Sequence, residues 1–154
     1  MNLPWEVLIA SSDLERRRAL SNILAKIGVD ALTTSTIVEC REILATERVG
    51  LIFSDRILID GNYRDVLNVS RATPTKPRVV VTSSGADWDE FLEAMRLGAF
   101  DVIASPCRST DVEWMILQTL RYERIESRLV LRAQSQVSAP NEAQDQPKAH
   151  VATF

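Results

Sequence analysis

The chain is poor in histidine, cysteine and glycine. Of its 154 residues one is histidine, His150, close to the C-terminal end. A histidine triad, a histidine metal cluster and a phosphotransfer histidine are therefore not expected. The two cysteines, Cys40 and Cys107, are too few and too poorly spaced for a disulfide framework or a zinc site. They read as reduced thiols of a cytosolic protein. The five glycines are scattered, without the clustering of a phosphate-cradling loop. No stretch approaches the roughly 18 apolar residues of a membrane span. The opening Met1-Asn2-Leu3-Pro4-Trp5-Glu6 has neither the basic leader nor the apolar run of a signal peptide. A net charge of −3 without a Lys/Arg cluster argues against a nucleic-acid surface. The densest basic spot, Arg16-Arg17-Arg18, falls inside a predicted helix and reads as a solvated face. The expectation is a cytoplasmic protein with neither membrane nor nucleic acid as partner.

What is present is globular: 45% hydrophobic and 25% charged residues, enough for one core and a tail. Short apolar runs alternate with helix-period segments. Val7-Leu8-Ile9-Ala10 reads as a buried strand, followed by a helix from Leu14 to Ile27 with Leu20, Ile23, Leu24 and Ile27 on one face. Ser12 with Glu15 suggests a capping box at its start, and Gly28 a left-handed cap at its end. Asp30 to Thr33 is a second short strand, and Thr36 with Glu39 opens the next helix. Gly50 to Ser54 is the third strand, closed by Asp55. A loop through Asp60-Gly61 leads to a helix carrying Val66, Leu67 and Val69. Arg78 to Thr82 is the most β-branched run. Asp87 and Glu90 start a helix that reaches Gly98; Asp101 to Ala104 is the fifth strand; a last helix begins near Thr110.

Five strands alternating with five helices imply an α/β doubly wound parallel sheet with right-handed crossovers. Such sheets place their sites beyond the carboxyl ends of the strands. That rule alone singles out Ser11, Ser12, Asp55, Thr82 and Ser105. The apolar stripe of the last helix, from Val112, Met115 and Ile116 to Leu120, Ile125, Leu129 and Val130, overruns the domain. The expected division is 1–123 for the domain, 124–133 for a helical extension and 134–154 for a tail that lacks the apolar content for a core and is expected to be disordered.

These segments resemble the receiver domains of bacterial response regulators, over roughly Glu6 to Tyr122. The run Ala94-Met95-Arg96-Leu97-Gly98-Ala99-Phe100-Asp101-Val102-Ile103-Ala104-Ser105-Pro106 is similar to the family's fourth helix, Gly-Ala pair, fifth strand and Lys-Pro. Leu51-Ile52-Phe53-Ser54-Asp55 resembles the strand that ends in the phosphoacceptor aspartate. Val79-Val80-Val81-Thr82-Ser83 resembles the strand that ends in a Thr or Ser. The resemblance implies a CheY-like, flavodoxin-like fold with strand order 2-1-3-4-5 and, here, an extended C-terminal helix.

It also implies roles. Asp55 matches the phosphoacceptor, a carboxylate nucleophile toward a phosphoryl group. Thr82 matches the switch hydroxyl, although Val102 stands where the family's switch aromatic belongs. The acidic pair that holds Mg²⁺ falls on Ser11 and Ser12, neutral hydroxyls that compete poorly with water for so hard an ion. A second reading has Ser12 capping the first helix and Ser11 bonding nearby backbone. Asp13 becomes a weak metal candidate if the loop shifts by one residue; its other reading is a first-turn acid. Ser105 replaces the lysine, and Ser105-Pro106 is the place for a cis peptide. In the loop after Asp55, Ile59 stands where the family has Pro and Tyr63 where it has Gly, unless Asp60-Gly61 fills that turn after a deletion. Trp88 and Trp114, in helical segments near the signalling face, are expected to be core or half-buried residues; the alternative is exposed partner anchors.

Phosphoryl transfer depends on positioning and on neutralising charge, and both charged groups around Asp55 are missing. The expectation is a non-enzymatic pseudo-receiver, a protein-interaction module without a metal or other cofactor. Its partner would be another protein or a second copy, met through the fourth helix, fifth strand and last helix. The alternative keeps Asp55 phosphorylatable by a histidine kinase, with Mg²⁺. A third possibility is a small-ligand pocket lined by Ser11, Ser12, Ser54, Thr82 and Ser105.

Overall fold

The three inner strands of the central sheet are short, mostly apolar runs buried on both faces, the composition selected by a parallel sheet with helices on either side. The structure, a computed structural model, describes residues 1–85 and 87–138. In chain order the elements are β1 (Glu6–Ala10), α1 (Leu14–Lys26), β2 (Ala31–Thr34), α2 (Ile37–Thr46) and β3 (Val49–Asp55). There follow β4 (Ile57–Leu58), β5 (Gly61–Asn62), α3 (Tyr63–Ala72), β6 (Arg78–Ser83), α4 (Trp88–Arg96), β7 (Asp101–Ala104) and α5 (Ser109–Ser138). Five strands make one parallel sheet in the order β2-β1-β3-β6-β7. That is the expected 2-1-3-4-5 once the small hairpin β4–β5 is set aside.

Alternation of side chains sends the strands' residues to two cores. On one face Leu8, Ile52, Val79 and Val81 pack with Leu44, Val66, Leu67 and Ala94 of α2, α3 and α4. The intervening Val7, Ile9, Leu51, Phe53 and Val80 are buried as well, as are Leu20 and Leu24 of α1 and Val112, Met115 and Ile116 of α5. Gly28 and Gly98 follow α1 and α4 with φ of +79° and +102°. Both lie in the region where a side chain is strained and a glycine is not.

Three local expectations are corrected. The cap of α1 is Asp13, whose side chain accepts from the N–H groups of Glu15 and Arg16, and Ser12 is exposed beside it. Ser and Asp one residue apart compete for the cap. Asp13 holds it because the Ser11 hydroxyl accepts from the Asp13 N–H at 3.1 Å and fixes the turn one residue later. The loop after Asp55 is an antiparallel hairpin, pairing Ile57 with Asn62 and Leu58 with Gly61. Its tip is anchored by Asp60, which accepts from the N–H groups of Ile37 (2.6 Å) and Val38 (3.2 Å) at the start of α2. Those bonds hold the Asp60 carboxyl below its ordinary range. Trp88 and Trp114 are exposed, at 68% and 55%, so neither is a core residue. A helical period marks a face but does not say whether that face is covered.

The chain divides into two units, Met1–Thr119 and a second beginning at Leu120. The expected domain ended at residue 123; among the described residues Thr119 is the last buried one of α5. In the second unit Ile125, Leu129 and Val130 are exposed. The helix runs to Ser138, past the predicted end at Ala133, because Gln134 and Gln136 are good helix formers. The expected disorder of the tail from 139 onward, with His150, lies outside the described residues.

Candidate functional site

Register brings the site together before any side chain is considered. Asp55 ends β3 and pairs with Thr82 of β6, while Ala10 of β1 pairs with Ser54. The residue that follows Ala10, Ser11, is thereby set beside Asp55. All three are buried, with Ser11 at 2%, Thr82 at 4% and Asp55 at 7% exposure. A carboxylate so placed needs donors, and it has them on both oxygens. The Thr82 hydroxyl donates to Asp55 Oδ1 and the Ser11 hydroxyl to Oδ2, each at 2.5 Å. These are short, charge-assisted bonds.

A third group was invisible in the sequence as a site residue. Arg16 Nη1 lies 3.5 Å from Asp55 Oδ2, the same oxygen that Ser11 reaches. Arg17 Nη1 donates to the Ser11 carbonyl at 2.6 Å. The reading of Arg16-Arg17-Arg18 as a merely solvated face is therefore corrected: two of its three arginines serve the corner around Asp55. Position is the signal that would have found Arg16. It stands in the first turn of the helix leaving β1, above the strand ends. Its backbone N–H is held by Asp13 Oδ1 at 3.2 Å, and its Nε lies 4.0 Å from Asp13 Oδ2.

Ser11, Arg16, Asp55, Thr82, Ser105 and Cys107 line a cleft of about 300 Å³. Ser105 approaches across a cis Ser105–Pro106 peptide, and its N–H donates to the Ser83 carbonyl at 2.9 Å. Ser12 and Ser54 do not line this cleft; the Ser54 hydroxyl donates to the Asp55 carbonyl at 2.9 Å. The five-hydroxyl ligand pocket is thus not assembled. The Cys107 thiol is pushed up to about 11, first by burial and then by the charge of Asp55. Arg56, next to Asp55, reaches out to Glu90 of α4 at 2.5 Å, and Arg64 of α3 pairs with Glu93 of α4.

The residues do not fit a magnesium site. Magnesium is held by oxygen ligands that usually include one or two carboxylates in octahedral order. Here Ser11 is neutral and already donates to Asp55, Ser12 is turned out, and Asp13 is engaged as a helix cap. Among the described residues no group of three or more His, Cys, Asp and Glu is placed to hold a metal.

Known proteins agree with this geometry at the level of fold. The CheY-like receiver domain protein from Methanospirillum hungatei superimposes with a TM-score of 0.69 at 20% identity, covering 79% of this chain and 98% of that one. No protein-family model matches the chain. The order and parallel pairing of the sheet are those of the CheY-like, flavodoxin-like fold. Among curated proteins the chain is similar to the response regulator protein PilR of Pseudomonas aeruginosa, 26% identical over 123 residues. The alginate biosynthesis transcriptional regulatory protein AlgB of the same organism is 24% identical over 123 residues. The match covers 79% and 80% of this chain but 27% of either relative, so the chain spans about a quarter of their length. Among the described residues no helix is long and apolar enough to cross a membrane.

Proposed function

We propose that this receiver domain is a pseudo-receiver, a protein-interaction module of the two-component type that works without a phosphorylation cycle and is not an enzyme. The observation that carries the reading is the closure of Asp55 from within the chain. Both carboxylate oxygens accept a hydroxyl at 2.5 Å, and an arginine stands beside one of them. An incoming phosphoryl group would have to displace these partners. It would then meet serines where the family has acids and a lysine, and single charge-stabilising groups are commonly worth about 10²–10³ in rate.

In this reading the partner is another protein or a second copy of the chain, and the docking face is α4, β7 and the first half of α5. Exposed Trp88, Trp114 and Leu117 support that face, since tryptophan is enriched among interface anchors. A cytoplasmic setting belongs to the same proposal, in keeping with two unpaired cysteines.

The test is a titration with Mg²⁺ and beryllofluoride, a phosphoryl mimic, monitored at the amides of Asp55 and Thr82. No saturable shift is expected at millimolar metal. Saturable shifts that Asp55→Asn abolishes would establish the rival, a receiver phosphorylated on Asp55 by a histidine kinase with Mg²⁺ as cofactor.

A further inference from the structure

We infer that the Arg16 guanidinium replaces the divalent cation at this corner and, by standing there, keeps one out. The inference rests on the pseudo-receiver reading and assigns the charge that makes it work. A carboxylate with 7% exposure is costly without a positive neighbour, yet the acidic-pair and lysine positions are the neutral Ser11, Ser12 and Ser105. Arg16 supplies a positive charge in contact with Asp55.

Three observations place that charge on the metal side of Asp55 rather than elsewhere. Arg16 lies against Oδ2, the oxygen that Ser11 of the β1–α1 turn also reaches, whereas Oδ1 belongs to Thr82. Asp13, the carboxylate of the same turn, caps α1 and has Arg16 Nε 4.0 Å from its second oxygen. Arg17 fixes the Ser11 carbonyl, another oxygen of the same turn, at 2.6 Å. Asp13 Oδ1 and the Ser11 carbonyl are thus held by N–H donors of α1. A hydrated cation approaching Oδ2 would face a fixed positive charge and few free ligands.

The Arg16 side chain is 45% exposed, so it can be exchanged without opening the core. The experiment measures Mn²⁺ binding to the full chain by paramagnetic broadening of the Ser11, Asp55 and Thr82 amides. Arg16→Gln is expected to bind Mn²⁺ on the order of tenfold more tightly than the unaltered chain, a figure discounted for solvent screening. Arg18→Gln removes the same charge from an exposed position of α1 and should change nothing. Arg16→Lys should restore exclusion, and adding Asp55→Asn to Arg16→Gln should abolish the gain. Equal binding by the unaltered chain and Arg16→Gln, or equal gains in the Arg16 and Arg18 variants, would overturn the inference. If Arg16→Gln gains nothing while beryllofluoride still fails on the unaltered chain, this inference falls and the pseudo-receiver stands. Saturable beryllofluoride binding by the unaltered chain would instead remove the reading beneath it.

Discussion

The corner around Asp55 and the edge formed by α4, β7 and the start of α5 lie in one unit and are treated in opposite ways. At the corner the polar atoms face one another: Ser11, Thr82 and Arg16 converge on one carboxylate, and all but the arginine are buried. At the edge apolar groups face outward. Trp88 stacks on Phe91 with ring centroids 5.2 Å apart yet stays 68% exposed. Val102 lines a cleft of about 330 Å³ with Trp88 and Phe91. The difference follows from what burial demands. A buried carboxylate is tolerated only when its hydrogen bonds are made, so the corner is internally complete. Apolar surface costs little to leave exposed singly, and a cluster of it marks a place of contact.

The sharpest way to break this contrast is to substitute one residue from each region. Thr82→Val keeps the side-chain shape and removes the donor to Asp55 Oδ1. Leaving that oxygen buried and unsatisfied should cost about 1–3 kcal/mol, read as a lowered midpoint of urea unfolding at unchanged slope. Trp88→Ser, on the edge, should stay within about 0.5 kcal/mol of the unaltered chain. Similar losses in the two variants would mean that Trp88 is a packing residue and that the edge is not a free surface.

A smaller effect sharpens the same contrast through fluorescence. The three tryptophans include Trp5, which is 6% exposed, together with Trp88 and Trp114. Acrylamide should quench most of the accessible signal in the unaltered chain. Trp88→Phe and Trp114→Phe should each lower the quenchable fraction, and Trp5→Phe should raise it. Adding a partner that docks on the edge should protect the signal of Trp88 and Trp114. Protection of neither during demonstrated binding would move the docking face elsewhere.

Much of the fold was legible because short-range rules carried it. Val79-Val80-Val81 has no plausible place but a buried strand, and Gly28 and Gly98 sit where helices end on positive φ. The strand-end rule also singled out Ser11, Asp55 and Thr82, which the sheet register then makes neighbours. What the sequence hid depended on reach or on close competition. Arg16 meets Asp55 across 39 residues through a long, flexible side chain. Asp60 closes its hairpin against α2 across 23 residues. Ser12 and Asp13 are both good caps one residue apart, and only the Ser11 turn decides between them. The exposure of Trp88 depended on what covers α4, which no period in the sequence records.

The smallest effect uses the two cysteines as a matched pair of reporters. Both thiols are raised to about 11 mainly by burial, but the second cause differs: Arg41 lowers Cys40, whereas Asp55 raises Cys107. The ordinary thiol value is 9.0. An unfolded chain therefore loses these protons first, so the stabilisation is full below about 9 and is lost as pH rises through about 11. At pH 8 both thiols of the folded chain should alkylate slowly, since the thiolate is the reacting form. Asp55→Asn removes a negative charge near Cys107 and should speed its alkylation, while Arg16→Gln removes a positive one and should slow it. Cys40 should respond to neither, since its charged neighbours are Arg41 and Asp60. Peptide-level mass spectrometry after timed alkylation distinguishes the two sites. A Cys107 rate that ignores both substitutions would mean that the charges of Asp55 and Arg16 do not act within the cleft, and the corner would lose its electrostatic coherence.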